Sequence, residues 1–145
     1  MSNPLAELGG KARNLLALEQ KFRVYVPFFR AIPFTELFVD LAENKANLEN
    51  IIAEYLGNQK TLEETILALE SKVTSFELNL SALEEIQNNF AAKNIAKISV
   101  RTSAALEDGI RDSFAGQYET FLDLAPSLEN LKVYARKSFQ SVFSA

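Results

Sequence analysis

The sequence predicts an α+β domain dominated by helices and carrying a small β-sheet. Three observations predict it. Apolar residues recur at three-to-four spacing over long stretches, two Ser/Thr-x-x-Glu signatures mark helix starts, and only three short stretches alternate as strands do. With 145 residues and 48% apolar content, the chain is long enough for one compact domain over residues 1–145 and short for two.

Taken in order, Gly9-Gly10-Lys11 precedes a helical pattern with Ala12, Leu15 and Leu16 on one face, which places Lys11 in the first turn. Phe22, Val24 and Val26 alternate with Arg23 and Tyr25, predicting a buried strand near 22–26 that Pro27 closes. From Thr35 to about Tyr55, Leu37, Phe38, Leu41, Leu48, Ile51, Ile52 and Tyr55 keep helical spacing. A break is expected around Asn44 to Asn47 and a stop at Gly57, giving two helices or one bent helix. Thr61 with Glu64 and Ser81 with Glu84 each match a capping box, and each leads into an apolar stripe: Leu62, Ile66, Leu69 and Val73, then Leu83, Ile86 and Phe90. Strands are expected near 97–101 and 118–123, pairing as a hairpin around a Gly116 turn. Ser127 is placed to cap a last helix lined by Leu128, Leu131, Ala135, Phe139 and Val142. Phe28, Phe29, Phe34 and Phe38 read as core aromatics rather than a ligand box.

Composition removes several function classes. A net charge of -4 without any basic tract argues against a general nucleic-acid binder, whose phosphate contacts need surplus Lys and Arg. There is no cysteine, hence no disulfide and no thiolate metal site. Histidine is also absent, which removes the commonest general base and any phosphohistidine from this chain. No stretch has the length and apolarity of a membrane span and no leader pattern opens the chain, so a cytoplasmic location is expected.

The stretch from Val100 through Arg101, Thr102 and Ser103 to Glu107 and Asp108, followed by Ser113 to Leu122, carries the chemistry. An apolar strand delivers a cation and small hydroxyl residues to a loop, and Gly116 supplies a backbone without Cβ that can approach phosphate oxygens closely. Two cations some ninety positions apart, Lys11 and Arg101, converge on one ligand only through the fold, each bond to a phosphate being worth about 1.5–3 kcal/mol. Thr120 adds a hydroxyl donor. Taken singly these residues have plainer readings: Lys11 as a solvated helix-start lysine, Arg101 as a strand-end ion pair, Gly116 as a turn glycine. Glu107 and Asp108 could orient Arg101 or shape the loop, and they are not assigned as metal ligands.

Leu8-Gly9-Gly10-Lys11 with Asn14-Leu15, then Val26-Pro27-Phe28-Phe29, then Val100 to Asp108, then Ser113 to Leu122 stand in the order of a known pattern. The chain resembles the N-terminal nucleotide-binding domain of the phosphoenolpyruvate synthase and pyruvate phosphate dikinase family, which includes rifampin phosphotransferases. The second element is degraded, lacking the family's second proline and glycine, and Thr102 stands where a serine is usual. Order and spacing agree from Leu8 to Phe143, and four ordered elements are far more specific than one glycine motif.

The resemblance implies the N-terminal subdomain of an ATP-grasp-type module. In it Lys11 and Arg101 contact the ATP phosphates, and the loop at Gly116 through Thr120 covers them. It also implies that the adenine pocket and the magnesium-holding residues belong to a missing C-terminal half, and the phosphorylated histidine to a separate domain. Magnesium is therefore expected only with that half. The partners implied are ATP and, in cis or trans, the other ATP-grasp half and a histidine-bearing domain, with neither nucleic acid nor membrane. Phosphate cations alone bind without turnover, so no residue here is assigned a catalytic role and the chain is expected to be incomplete as a phosphotransferase. The alternative is a non-enzymatic sensing or interaction module that retains the family fold.

Overall fold

The computed structural model describes residues 8–103 and 119–144. Helix α1 spans Gly10–Phe22 and runs into a 3-10 helix at Arg23–Tyr25. Here the structure corrects the expected strand at 22–26: Val24 and Tyr25 are 91% and 84% exposed, and no neighbouring strand pairs with them among the described residues. A strand needs a ladder for its N–H and C=O groups, and without one the backbone bonds locally in a tightened helical turn.

Helices α2 (Phe34–Leu37) and α3 (Leu41–Leu56) realise the expected broken helical stretch, with the break at Phe38–Asp40 rather than at Asn44–Asn47. The cause is tertiary. Phe38 forms an isolated antiparallel bridge with Leu78, backed by Val39 N–H to the Glu77 carbonyl at 3.0 Å and Asn79 N–H to the Leu37 carbonyl at 2.8 Å. Those bonds pull residue 38 out of helical geometry. The Asn44 and Asn47 side chains bond within the helix instead of ending it: Asn44 Nδ2 donates to the Asp40 carbonyl at 2.9 Å, and Asn47 Nδ2 to Asn44 Oδ1 at 3.1 Å. Gly57 caps α3 as expected, while the left-handed residue of the turn is Asn58 (φ 58°).

Thr61 caps α4 (Leu62–Thr74) through a complete capping box. Glu64 N–H donates to Thr61 Oγ1 at 3.2 Å, and Thr61 N–H to Glu64 Oε2 at 2.8 Å. Helix α5 (Leu80–Ala92) starts two residues earlier than the Ser81/Glu84 signature implies, because Asn79 Oδ1 accepts from Ala82 N–H and so takes the cap. Ser127 caps α6 (Leu128–Ser144), its Oγ accepting from Asn130 N–H at 3.2 Å.

Strands β1 (Ile98–Arg101) and β2 (Thr120–Leu124) pair antiparallel, with Ile98 opposite Leu124, Val100 opposite Phe121 and Arg101 opposite Thr120. The register shifts by one residue between Ile98 and Val100, so Leu122 and Asp123 together face Ser99, and Asp123 takes φ 58° at this bulge.

Helix α6 is the hub: it packs on α4, α5 and both strands. Its Phe139 joins an aromatic stack with Phe34 at 4.5 Å, Phe38 at 5.0 Å and Phe76 at 6.2 Å between ring centroids. Among the described residues Phe38, Phe76, Leu83 and Val73 are the largest fully buried side chains, and Phe28 and Phe34 pack against the same core as expected, whereas the half-buried Phe29 does not join it. Helix dominates over a two-stranded sheet, the α+β class that periodicity predicts.

Candidate functional site

Helix α1 begins without a side chain of its own to cap it, since its N-cap is Gly9. The first backbone N–H groups of a helix have no partner inside it. Here the amide of Ala12, third in the helix, donates to Ser103 Oγ at 3.2 Å across 91 residues of sequence. The glycine–lysine opening and the loop after β1 are thereby tied together. Gly9 and Gly10, which open the helix beside this contact, are buried.

The hairpin brings the third element to the same corner. Arg101 lies directly opposite Thr120 in the ladder, so the cation ending β1 and the hydroxyl opening β2 are cross-strand neighbours. Lys11 immediately precedes Ala12, and Arg101 stands two residues before Ser103, so the backbones of both cations flank one hydrogen bond. Both side chains are exposed, as is Thr120. Two cations and the partial positive charge at the start of α1 suit an anion. Gly116, Glu107 and Asp108 lie outside the described residues.

Thr102, between the two site residues Arg101 and Ser103, turns the other way. It is 3% exposed, and its Oγ1 donates to the Ser138 carbonyl of α6 at 3.2 Å and lies 3.4 Å from Ser141 Oγ. Ser141 Oγ donates to the same carbonyl at 2.7 Å, while Ser138 Oγ is buried without a hydrogen-bond partner among the described residues. Sequence reasoning singled out neither Ser103 nor Thr102 for these contacts. The available signal was the pair of adjacent hydroxyl residues just after a strand-end cation.

Two open depressions lie along α6. One, of about 370 Å³, is lined by Leu78, Lys132, Val133, Arg136, Lys137 and Gln140; the other, of about 380 Å³, shares Lys137 and Gln140 and adds Glu70, Glu119, Phe121 and Ser141. Both open on the α6 surface, and the second reaches the start of β2 through Glu119 and Phe121, the residues on either side of Thr120. Among the described residues, no group of three or more His, Cys, Asp or Glu side chains could hold a metal ion. No helix among them is long and apolar enough to cross a membrane.

The family described as pyruvate phosphate dikinase, AMP/ATP-binding domain matches residues 5–145. The chain is also similar to a probable phosphoenolpyruvate synthase of Methanothermobacter thermautotrophicus, 28% identical over 148 residues that cover 94% of this chain and 21% of that protein. The chain therefore spans about a fifth of the length of that relative. No solved structure matches it. With its motif elements in family order and nearly its whole length matched, the chain belongs to the pyruvate phosphate dikinase AMP/ATP-binding domain family.

Proposed function

We propose that the chain is the ATP-binding N-terminal subdomain of a phosphoenolpyruvate synthase or pyruvate phosphate dikinase-like phosphotransferase, of ATP-grasp type. Lys11 and Arg101 contact the triphosphate, and the segment from Gly116 to Thr120 covers it through backbone amides and the Thr120 hydroxyl. The observation that carries this reading is the bond from Ala12 N–H to Ser103 Oγ together with the Arg101–Thr120 pairing, which gathers three separated motif elements at one corner. The match to an AMP/ATP-binding domain supports the ligand. A relative about five times longer supports further domains in the complete system, where the adenine pocket, the magnesium ligands and a phosphorylated histidine would reside.

Binding by this chain alone should be weak. Two charge-assisted contacts supply a few kcal/mol, whereas millimolar affinity already requires about 4 kcal/mol. Titrating the chain with magnesium-ATP in a calorimeter should show at most weak binding, reduced severalfold by Arg101→Ala and by Lys11→Ala, and no phosphoryl transfer. Tight binding indifferent to both substitutions would place the nucleotide elsewhere. Robust transfer by the purified chain would overturn its assignment as an incomplete module, while ATP binding that never supports transfer, even with the remaining domains supplied, would favour a sensing module on the same fold.

A further inference from the structure

We propose that Ser103 and Thr102 are positioning residues for the phosphate-contacting cations, clamping the end of β1 between α1 and α6. The inference rests on the assignment of Lys11 and Arg101 to the ATP phosphates and names what sets their separation.

Gly9 leaves α1 uncapped from within, and Ser103 replaces the absent cap from 91 residues away. A serine hydroxyl accepting an orphan helix amide is ordinarily a local device that stabilises one helix end. Supplied from a distant loop, it also fixes where that end sits. Lys11 is one residue from this bond and Arg101 two, so it ties together the backbones that carry the two cations. Thr102, a buried residue, holds the same strand end from the opposite partner: its hydroxyl is spent on the Ser138 carbonyl and is in reach of Ser141 Oγ. Buried there, it is unavailable to a ligand at the corner, and its contribution to binding runs through the neighbours it holds. Consecutive residues of an extended chain project to opposite sides, which lets the adjacent hydroxyls reach α6 and α1 and anchors the chain immediately after Arg101. Bonds between cations and phosphate depend on this spacing because their strength depends on geometry.

The test is titration of the isotope-labelled full chain with ATP, and separately with inorganic tripolyphosphate, followed through amide shifts that report millimolar affinity. Ser103→Ala and Thr102→Val should each weaken both ligands about fivefold, the effect of losing one net hydrogen bond. Ser103→Thr and Thr102→Ser, which keep the hydroxyls, should stay within about twofold of wild type. Arg101→Ala serves as the reference. If Arg101→Ala weakens binding but Ser103→Ala and Thr102→Val bind as wild type, the positioning role is wrong and the phosphate assignment stands. If Arg101→Ala binds as wild type, or ATP moves no amide near Lys11 and Arg101, the phosphate assignment fails and this inference with it. Should Thr102→Val not fold, the part-buried Ser103 decides the matter through Ser103→Ala and its hydroxyl-retaining counterpart.

Discussion

Arg136 shows how one side chain can finish a helix that is not its own. From α6, its Nη1 donates to the carbonyls of Val73 and Phe76 at 2.9 Å and of Thr74 at 3.1 Å, while its guanidinium stands 5.8 Å from the Phe38 ring centroid. The last carbonyls of a helix have no internal partner, and a cation there satisfies them and suits the helix dipole. Arg136→Met should retain the packing volume and remove these three bonds, leaving the Val73 carbonyl only its bonds from backbone N–H groups, and lower stability by about 2 kcal/mol. Urea unfolding should show a lower midpoint with an unchanged slope. At the other end of α4, the hydrogen bond from the Thr61 backbone, then the one from its hydroxyl, holds the Glu64 carboxyl below the ordinary glutamate value. A depressed folded-state pKa contributes stability above the unfolded value and loses it as pH falls through the folded value. Glu64→Gln should therefore lower the urea midpoint near neutrality, and the gap from wild type should shrink on acidification below the carboxylate range. A gap independent of pH would show that the carboxylate charge is immaterial. Thr61→Ala should cost about 1 kcal/mol through loss of the cap.

Among the elements, α1 is built unlike α4, α5 and α6. Leu15, Leu18 and Phe22 recur along one face and are 39%, 47% and 53% exposed, and Gly10 alone is buried in the helix. Helices α4, α5 and α6 instead bury regular stripes, such as Thr65, Leu69 and Val73, or Leu83, Ile86 and Phe90. A helix of 13 residues is marginal in water without tertiary packing. Hydrogen exchange of the chain should accordingly show α1 amides exchanging far faster than those of α4 to α6. Saturating ATP should slow exchange at the start of α1 if the proposed contacts form there. Equal protection across all these helices would contradict this ranking.

For the molecule as a whole, stability concentrates in the aromatic stack where α2, α6 and the bridge after α4 meet. Phe38 is fully buried and touches both Phe76 and Phe139. Phe38→Ala should cost about 3–5 kcal/mol, a large part of the roughly 5–15 kcal/mol typical of a domain. Phe22→Ala, at an exposed position, should change the melting temperature little. The stack and the candidate site share α6, because the helix that supplies Phe139 to the core also supplies the Ser138 carbonyl to Thr102. A core substitution that shifts α6 should thus disturb the candidate site as well.

Local patterns sufficed for much of this protein. The capping box at Thr61, the cap at Ser127, the core placement of Phe38 and the pairing of residues 98–101 with 120–124 all follow from short-range rules: an orphan amide needs an acceptor, and apolar periodicity sets a face. The ordered motifs around Lys11, Arg101 and Thr120 likewise identified the family from residues alone. Three features were decided only by tertiary structure. The alternation of Phe22, Val24 and Val26 became a helix end and a 3-10 turn, since no described strand pairs with it. The break in the 35–55 stretch moved to Phe38, where the backbone pairs with Leu78 rather than with its own helix. Asn79, already held by its N–H to the Leu37 carbonyl, displaced Ser81 as the cap of α5. The joining of Ala12 to Ser103 belongs with these: a hydrogen bond across 91 residues leaves no periodic trace in the sequence, and only the packed fold brings its two ends together.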